Sequence, residues 1–133
     1  MTRINYSSGA PWEAIVGYSR AVQISNQIEI TGTVAVGEDG KVVGKGNPYE
    51  QTRFIINKVE RILASAGFAL SDVIRTRIFV TDISFWKEVG KAHGESFSAI
   101  RPATTMVQVV ALIEPDYLVE IEFTAIREQT ETD

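Results

Sequence analysis

Apolar and polar residues alternate along several short stretches of this chain, which is the pattern of strands with one covered face. The clearest stretch is residues 118–126, where an apolar residue occupies every second position and glutamate or threonine stands between them. Residues 104–112 form a second strand-like run, rich in threonine and valine, and Pro115 and Asp116 lie between the two runs. Because proline and aspartate favour turns, this pattern predicts that the two runs pair as a hairpin.

Four more segments have strand character. Residues 2–6 and 16–25 are strand-like, and residues 27–33 alternate isoleucine with polar side chains. Residues 70–81 alternate again and place two arginines on one face. The sequence therefore predicts three strands in its first third and one near its middle.

Two segments have the helical spacing of apolar residues that covers a sheet. The first begins at Asn47, which suits an N-terminal cap, continues with Pro48 at the position where proline is best tolerated, and stops at Gly67. The second runs over residues 84–97. The apolar stripe of the first helix comprises Ile55, Val59, Ile62, Leu63 and Ala66, and that of the second comprises Phe85, Val89, Ala92 and Phe97.

The predicted order β-β-β-α-β-α-β-β indicates one α+β domain over residues 1–133, with two helices on one face of a mixed sheet. The other face has to be polar or covered by a partner. Thr104, Met106, Gln108 and Val110 would share one row, and this row is too mixed to be fully solvated. We therefore expect a homo-oligomer in which sheets of separate copies face one another.

Composition and charge exclude several classes of function. The chain has no cysteine and one histidine, which excludes a thiolate nucleophile and a cysteine- or histidine-rich metal site within one chain. The net charge of −4 argues against a nucleic-acid-binding protein. No apolar run approaches the ~20 residues of a membrane span, and the N-terminus lacks the layout of a signal peptide. We expect a cytoplasmic protein without a membrane association.

Four segments, in the same order along the chain, resemble the RidA (YjgF-type) family of reactive-intermediate enamine/imine deaminases. They are residues 14–22, which contain a tyrosine, 30–33, a strand ending in Thr-Gly, 73–82, a central strand, and 102–122, which contain Pro-Ala-Thr-Thr and Glu-Ile-Glu. The family also carries the labels L-PSP endoribonuclease and translation inhibitor. The resemblance implies a chorismate-mutase-like fold and a homotrimer with ligand clefts between its subunits.

The resemblance also implies site residues. Glu120 matches the glutamate that positions the hydrolytic water, and Tyr18, Thr31 and Gly32 match residues that shape the pocket. Each has a simpler explanation. Glu120 can be an exposed strand carboxylate, Tyr18 an aromatic packed on the sheet, and Gly32 the end of a strand.

One position departs from the family pattern. The deaminases have an arginine at the third position of Pro-Ala-Arg-[Ser/Thr], whose planar fork holds a substrate carboxylate, and here that position is Thr104. Arg101 is our first choice as a replacement, although a solvent-exposed arginine at the entry of a strand is the simpler explanation for it. Three other arginines lie in segments that, by the resemblance, border the cleft of the family: Arg20, Arg75 and Arg77. Met106 stands where the family often has cysteine, and it is most simply a pocket or interface residue.

Three functions follow from this sequence. The first is hydrolysis of enamines or imines to a keto compound and ammonia by a hydrolase that needs no metal and no cofactor, with Glu120 orienting the water. The second is a trimer that binds a small metabolite without catalysis, which the loss of the arginine favours. The third is an endoribonuclease, which the acidic charge makes the weakest.

Overall fold

The computed structural model describes residues 2–128, and Met1 and the polar tail 129–133, which the sequence predicts to be frayed, lie outside the described residues. The strands are β1 (Arg3–Tyr6), β2 (Ala21–Ile24), β3 (Gln27–Thr33), β4 (Val73–Val80), β5 (Ala103–Gln108) and β6 (Val119–Ile126). The helices are α1 (Pro11–Val16), α2 (Pro48–Ser65) and α3 (Trp86–Phe97), with short 3-10 turns at Leu70–Asp72 and Ile83–Phe85.

The six strands form one mixed sheet in the order β1-β2-β3-β6-β4-β5. Only β4 and β5 run parallel, and the other neighbours are antiparallel. The predicted hairpin of the last two strands is therefore wrong, because β6 pairs with β3 and β4 while β5 lies beyond β4. α3 carries the chain from β4 to β5 as a parallel crossover. The alternating apolar residues of β6 from Val119 to Ala125 are buried, which suits a central strand, whereas β5 is largely exposed at the edge.

Helices α2 and α3 cover one face of this sheet, as the sequence predicts. The side chain of Asn47 accepts a hydrogen bond from the backbone N–H of Glu50 at 3.0 Å, so the predicted cap is confirmed. α2 ends at Ser65, and Gly67 follows with a φ of 82°, the left-handed conformation that glycine adopts without strain. Val59, Ile121 and Phe123 are among the fully buried residues between the helices and the sheet.

The N-terminal region differs from its prediction. Residues 16–25 are not one strand, because α1 extends to Val16 and β2 begins only at Ala21. Pro11 begins this short helix, and Gly17 ends it with a φ of 88°. Six residues are too few for a stable helix by themselves. Contacts of Glu13 with the preceding loop hold it in place instead.

The row of Thr104 and Met106 does not lie on the uncovered face. The hydroxyl Oγ1 of Thr104 lies 2.8 Å from Oγ1 of Thr76, which is fully buried and lies 3.0 Å from Nε2 of His93 in α3. The register of β4 with β5 pairs Thr76 with Thr104, so both residues point towards the helices. The row of Thr104 and Met106 therefore gives no support to the expectation that sheets of separate copies face one another. The uncovered face instead carries Glu29, Thr31, Arg75, Arg77, Phe79, Thr105, Glu120, Glu122 and Thr124.

Candidate functional site

Glu120 stands on the uncovered face of β6, directly against the backbone of β3. The register between β3 and β6 shifts between Ile30 and Thr33, so that both Thr31 and Gly32 lie opposite Glu122. A Cβ atom added at Gly32 would lie 3.0 Å from Cδ and 3.3 Å from Cγ of Glu120, and closer still to its Oε2. The carboxylate of Glu120 therefore occupies space that is free only because residue 32 is a glycine.

The carboxyl group of Glu120 has an altered proton affinity. Burial raises its pKa above the ordinary value, the neighbouring Glu122 raises it further, and Arg20 acts in the opposite direction. A glutamate whose pKa moves towards neutrality exchanges protons with a bound molecule more readily than an exposed one. This part of the sheet can therefore supply general acid or base chemistry.

Arg20 is the positively charged residue whose charge lowers the pKa of Glu120. Its backbone is tied between two strands, since its N–H donates to Tyr6 O at 2.8 Å and its carbonyl accepts from Thr31 N at 3.1 Å. Its Nη1 donates to Oγ1 of Thr33 at 3.4 Å. Its Nε is buried and has no hydrogen-bond partner. Burial lowers the pKa of Lys58 in α2, and the charges of Arg20 and Arg61 lower it further.

Tyr18 follows the glycine that ends α1 and lines a concave region of about 610 Å³ on the uncovered face. Thr31, Arg77 and Glu122 line the same region together with apolar side chains, so its walls are mixed in polarity. Glu120 is not part of this lining. Thr31 connects the two places, because it lines the cavity and precedes Gly32, against which Glu120 lies.

Glu13 also lines this cavity, and the sequence singles out residues 11–13, which precede the segment with Tyr18, as a candidate pocket wall. Only 7% of its surface is exposed, and its Oε2 accepts hydrogen bonds from N and Oγ of Ser8. Burial tends to raise its pKa, but the hydrogen bonds from Ser8 and Ser7 and the charge of Arg20 outweigh burial and lower it. Glu13 therefore remains ionised and holds the first loop to α1.

The other predicted site residues lie elsewhere in the chain. Thr104 contacts Thr76 on the helix side and also donates to Pro102 O at 3.1 Å. Met106, in the same strand, packs against the core. Arg101 has a φ of 57°, and its Nε donates to Ser98 O at 3.0 Å at the end of α3. One copy of the chain thus brings Tyr18, Thr31, Gly32 and Glu120 to the uncovered face, and leaves Thr104, Met106 and Arg101 apart from them.

The described residues contain neither a cluster of metal-binding side chains nor a membrane-spanning helix. Within residues 2–128, no three histidine, aspartate or glutamate side chains come together as a potential metal site. In the same part of the chain, no helix has the length and apolar character needed to cross a membrane.

Comparison with known proteins places this geometry in a family. The model of the endoribonuclease L-PSP family matches residues 8–127. The chain belongs to this family, which is the RidA (YjgF-type) family. The 3-aminoacrylate deaminase RutC of Acinetobacter baylyi is 34% identical over 104 residues, which cover 78% of this chain and 82% of the relative. An uncharacterised protein of Streptomyces coelicolor is 37% identical over 120 residues, which cover 90% and 89% of the two chains.

Solved structures of the RidA family have the same fold. A member of the YjgF/YER057c/UK114 family from Mycobacterium tuberculosis is 47% identical, with a TM-score of 0.84 over 95% of this chain and 100% of that chain. A Rid-family protein of unknown function from Yersinia pestis is 26% identical, with a TM-score of 0.82 over 95% of this chain and 100% of that chain. The predicted α+β fold with chorismate-mutase-like topology is therefore confirmed.

Proposed function

We propose that this RidA-family protein hydrolyses small reactive imines or enamines to a keto compound and ammonia. The observation that carries the proposal is Glu120, a half-buried carboxyl group with a raised pKa, pressed against the side-chain-free backbone at Gly32. The RutC relative supports the substrate class, because its name assigns it the deamination of 3-aminoacrylate, an enamine that carries a carboxylate.

Glu120 can carry every proton that hydrolysis of an imine moves, and an enamine enters the same path after its β-carbon takes up a proton and its nitrogen loses one, which gives the imine. The carboxylate of Glu120 takes a proton from water while the water oxygen bonds to the carbon of the C=N group, and the π electrons move to nitrogen. The protonated Glu120 then gives that proton to nitrogen, which produces a carbinolamine. In the second stage Glu120 takes the hydroxyl proton, the C=O bond forms, the C–N bond breaks, and nitrogen leaves as ammonia with the returned proton.

We also propose that the site is completed between subunits of a homotrimer. The proposal is supported by the distance within one chain between Glu120 on the uncovered face and the predicted site residues of β5. Thr104 and Met106 lie in β5, whose outer edge has no partner strand in the described part of the chain. That edge and Arg101 are available to a neighbouring copy, and the uncovered face with Glu120 is available on the other side. Light scattering or analytical ultracentrifugation measures the number of subunits directly.

The test is ammonia release from a 2-imino acid generated in situ by an amino-acid oxidase, measured as acceleration over spontaneous hydrolysis. Glu120→Gln keeps the size of the side chain and loses the proton carrier. We expect wild type to accelerate release, and this variant to fall to the spontaneous rate with an unchanged subunit number. If the variant releases ammonia as fast as wild type, Glu120 is not the proton carrier and the proposal fails.

A trimer that binds a metabolite without catalysis is the second candidate. The observation that favours it is Thr104, which supplies a hydroxyl, already hydrogen-bonded to Thr76, where the family's deaminases have an arginine. Keto acids that stabilise the folded protein in a thermal-shift screen, together with a wild type that does not accelerate ammonia release, would favour this function. Cleavage of RNA by a preparation whose activity disappears in Glu120→Gln would favour the nuclease name of the family instead.

A further inference from the structure

Thr104 has no charge with which to hold a negatively charged ligand. Its hydroxyl donates to Pro102 O and contacts Thr76, so its hydrogen-bonding capacity is largely used within the chain. Arg101 is turned towards the end of α3, where its Nε donates to Ser98 O. Neither residue lies beside Glu120 in this chain.

Arg20 has the position and the free hydrogen-bonding capacity for this role. Its Nε is buried without a partner, and its Nη1 makes only a long contact of 3.4 Å to Thr33. It takes part in neither of the ion pairs found within residues 2–128, which join Lys45 to Asp116 and Arg53 to Glu95. A buried N–H without an acceptor is costly, and such groups are rare unless a ligand or water satisfies them.

The strands bring Arg20 and Glu120 to the same place. Arg20 accepts from the backbone of Thr31, its guanidinium reaches Thr33, and the carboxyl group of Glu120 lies against Gly32 between these two residues. A small molecule at this point of β3 would therefore meet a guanidinium and a proton carrier together.

We propose that Arg20 holds the carboxylate of the ligand, so that this site takes small 2-imino or 2-oxo acids and discriminates against their neutral analogues. This inference rests on the proposed function for the identity of the site, but it concerns binding and can be judged without turnover. A guanidinium presents parallel N–H groups that match the two oxygens of a carboxylate. Charge is also needed here, because Glu120 and Glu122 would repel an anion that no cation holds.

Arg75 provides a matched control within the same sheet. Its Nε is likewise buried without a partner, and its Nη2 donates to Oγ1 of Thr105 at 3.4 Å. It pairs across the sheet with Thr124, four residues along β6 from Glu120, which is about 13 Å for an extended strand. Removal of Arg75 therefore repeats the loss of a half-buried guanidinium at a distance from the proposed site.

The experiment measures binding of pyruvate, an acid, and pyruvamide, its neutral amide, by calorimetry, and ammonia release from 2-iminobutanoate and its amide. We expect Arg20→Gln to weaken pyruvate binding and raise the KM of the imino acid about 10- to 100-fold, with little change for the amides. Arg20→Lys should recover part of the loss, since it keeps the charge and loses the fork. Arg75→Gln should match wild type, and circular dichroism and subunit number should show that each variant is folded.

Other outcomes overturn the inference. Equal pyruvate affinity in Arg20→Gln and wild type, an equal loss for acid and amide, or a loss in Arg101→Gln in place of Arg20→Gln would each do so. A wild type that binds no acid would also overturn it. A wild type that binds pyruvate without releasing ammonia would remove the proposed hydrolysis, and a selective loss of pyruvate binding in Arg20→Gln would then still support the anchor. If Arg20→Gln does not fold, Arg20→Lys decides, because unchanged acid binding in that variant excludes a two-pronged contact.

Discussion

Replacing Gly32 with alanine tests whether the position of the Glu120 carboxylate matters for activity. The added methyl would lie 3.0 Å from Cδ of Glu120, and carbon atoms in contact prefer about 3.5–4.0 Å. Cδ must therefore retreat by about 0.5–1.0 Å, and Oε2, which lies nearer the methyl, must retreat further. A displacement of about 1 Å in a catalytic group can cost about 100-fold in rate, or about 2.7 kcal/mol of transition-state stabilisation.

The same change should have a small effect on folding stability. Overpacking a core typically costs about 1–3 kcal/mol, but here the crowded atoms belong to a flexible, half-exposed side chain that can move outward. Alanine also restricts the unfolded chain more than glycine does, and this restriction stabilises the folded state by roughly 0.5–1 kcal/mol. The two effects nearly cancel, so we expect the free energy of unfolding to change by less than about 1 kcal/mol.

The assay compares kcat/KM for a 2-imino acid with urea unfolding of the same preparation. Gly90→Ala is the control, because nothing lies within 4 Å of its added Cβ on the exposed side of α3. It should stabilise the protein by up to about 1 kcal/mol and leave kcat/KM unchanged. A folded Gly32→Ala variant with wild-type kcat/KM would refute the argument that the backbone at residue 32 positions Glu120.

The remaining predictions concern single side chains. Because the folded state raises the pKa of Glu120, ionisation of this group penalises the fold. The penalty is absent well below the ordinary pKa of glutamate and fully present above the raised pKa, so Glu120→Gln should be at least as stable as wild type at pH 8 in urea unfolding, and a clear destabilisation there would contradict the direction of the shift. If Glu120 is the base, kcat/KM should rise with pH through a pKa above that of an exposed glutamate, and a profile flat from pH 4 to 8 would exclude this role. Gln51 is fully buried and bonds Gly44 O, Asp116 O and Leu118 N, so Gln51→Leu should cost about 2–5 kcal/mol in the same measurement, and a loss under 1 kcal/mol would show that water replaces it. Asn47→Ala removes the cap of α2 and should cost about 1 kcal/mol without affecting kcat/KM.

The sequence predicted best what depends on neighbouring residues. The cap at Asn47, the stop at Gly67 and the apolar stripes of α2 and α3 act within one or two helical turns. The alternation in β6 likewise identified its buried face. The segments that resemble the family predicted the fold, and they predicted Glu120 and Gly32 as site residues.

The tertiary structure decided which distant segments meet. β6 pairs with β3, about 90 residues earlier in the chain, in place of the nearby β5, and Thr104 in β5 contacts Thr76 on the helix side, away from Glu120. The register shift at Thr31 and Gly32 and the approach of Arg20 to this point follow from the same pairing. Local propensity cannot encode such choices, because strand order is set by the burial and hydrogen bonding of the whole sheet against the entropy of the connecting loops.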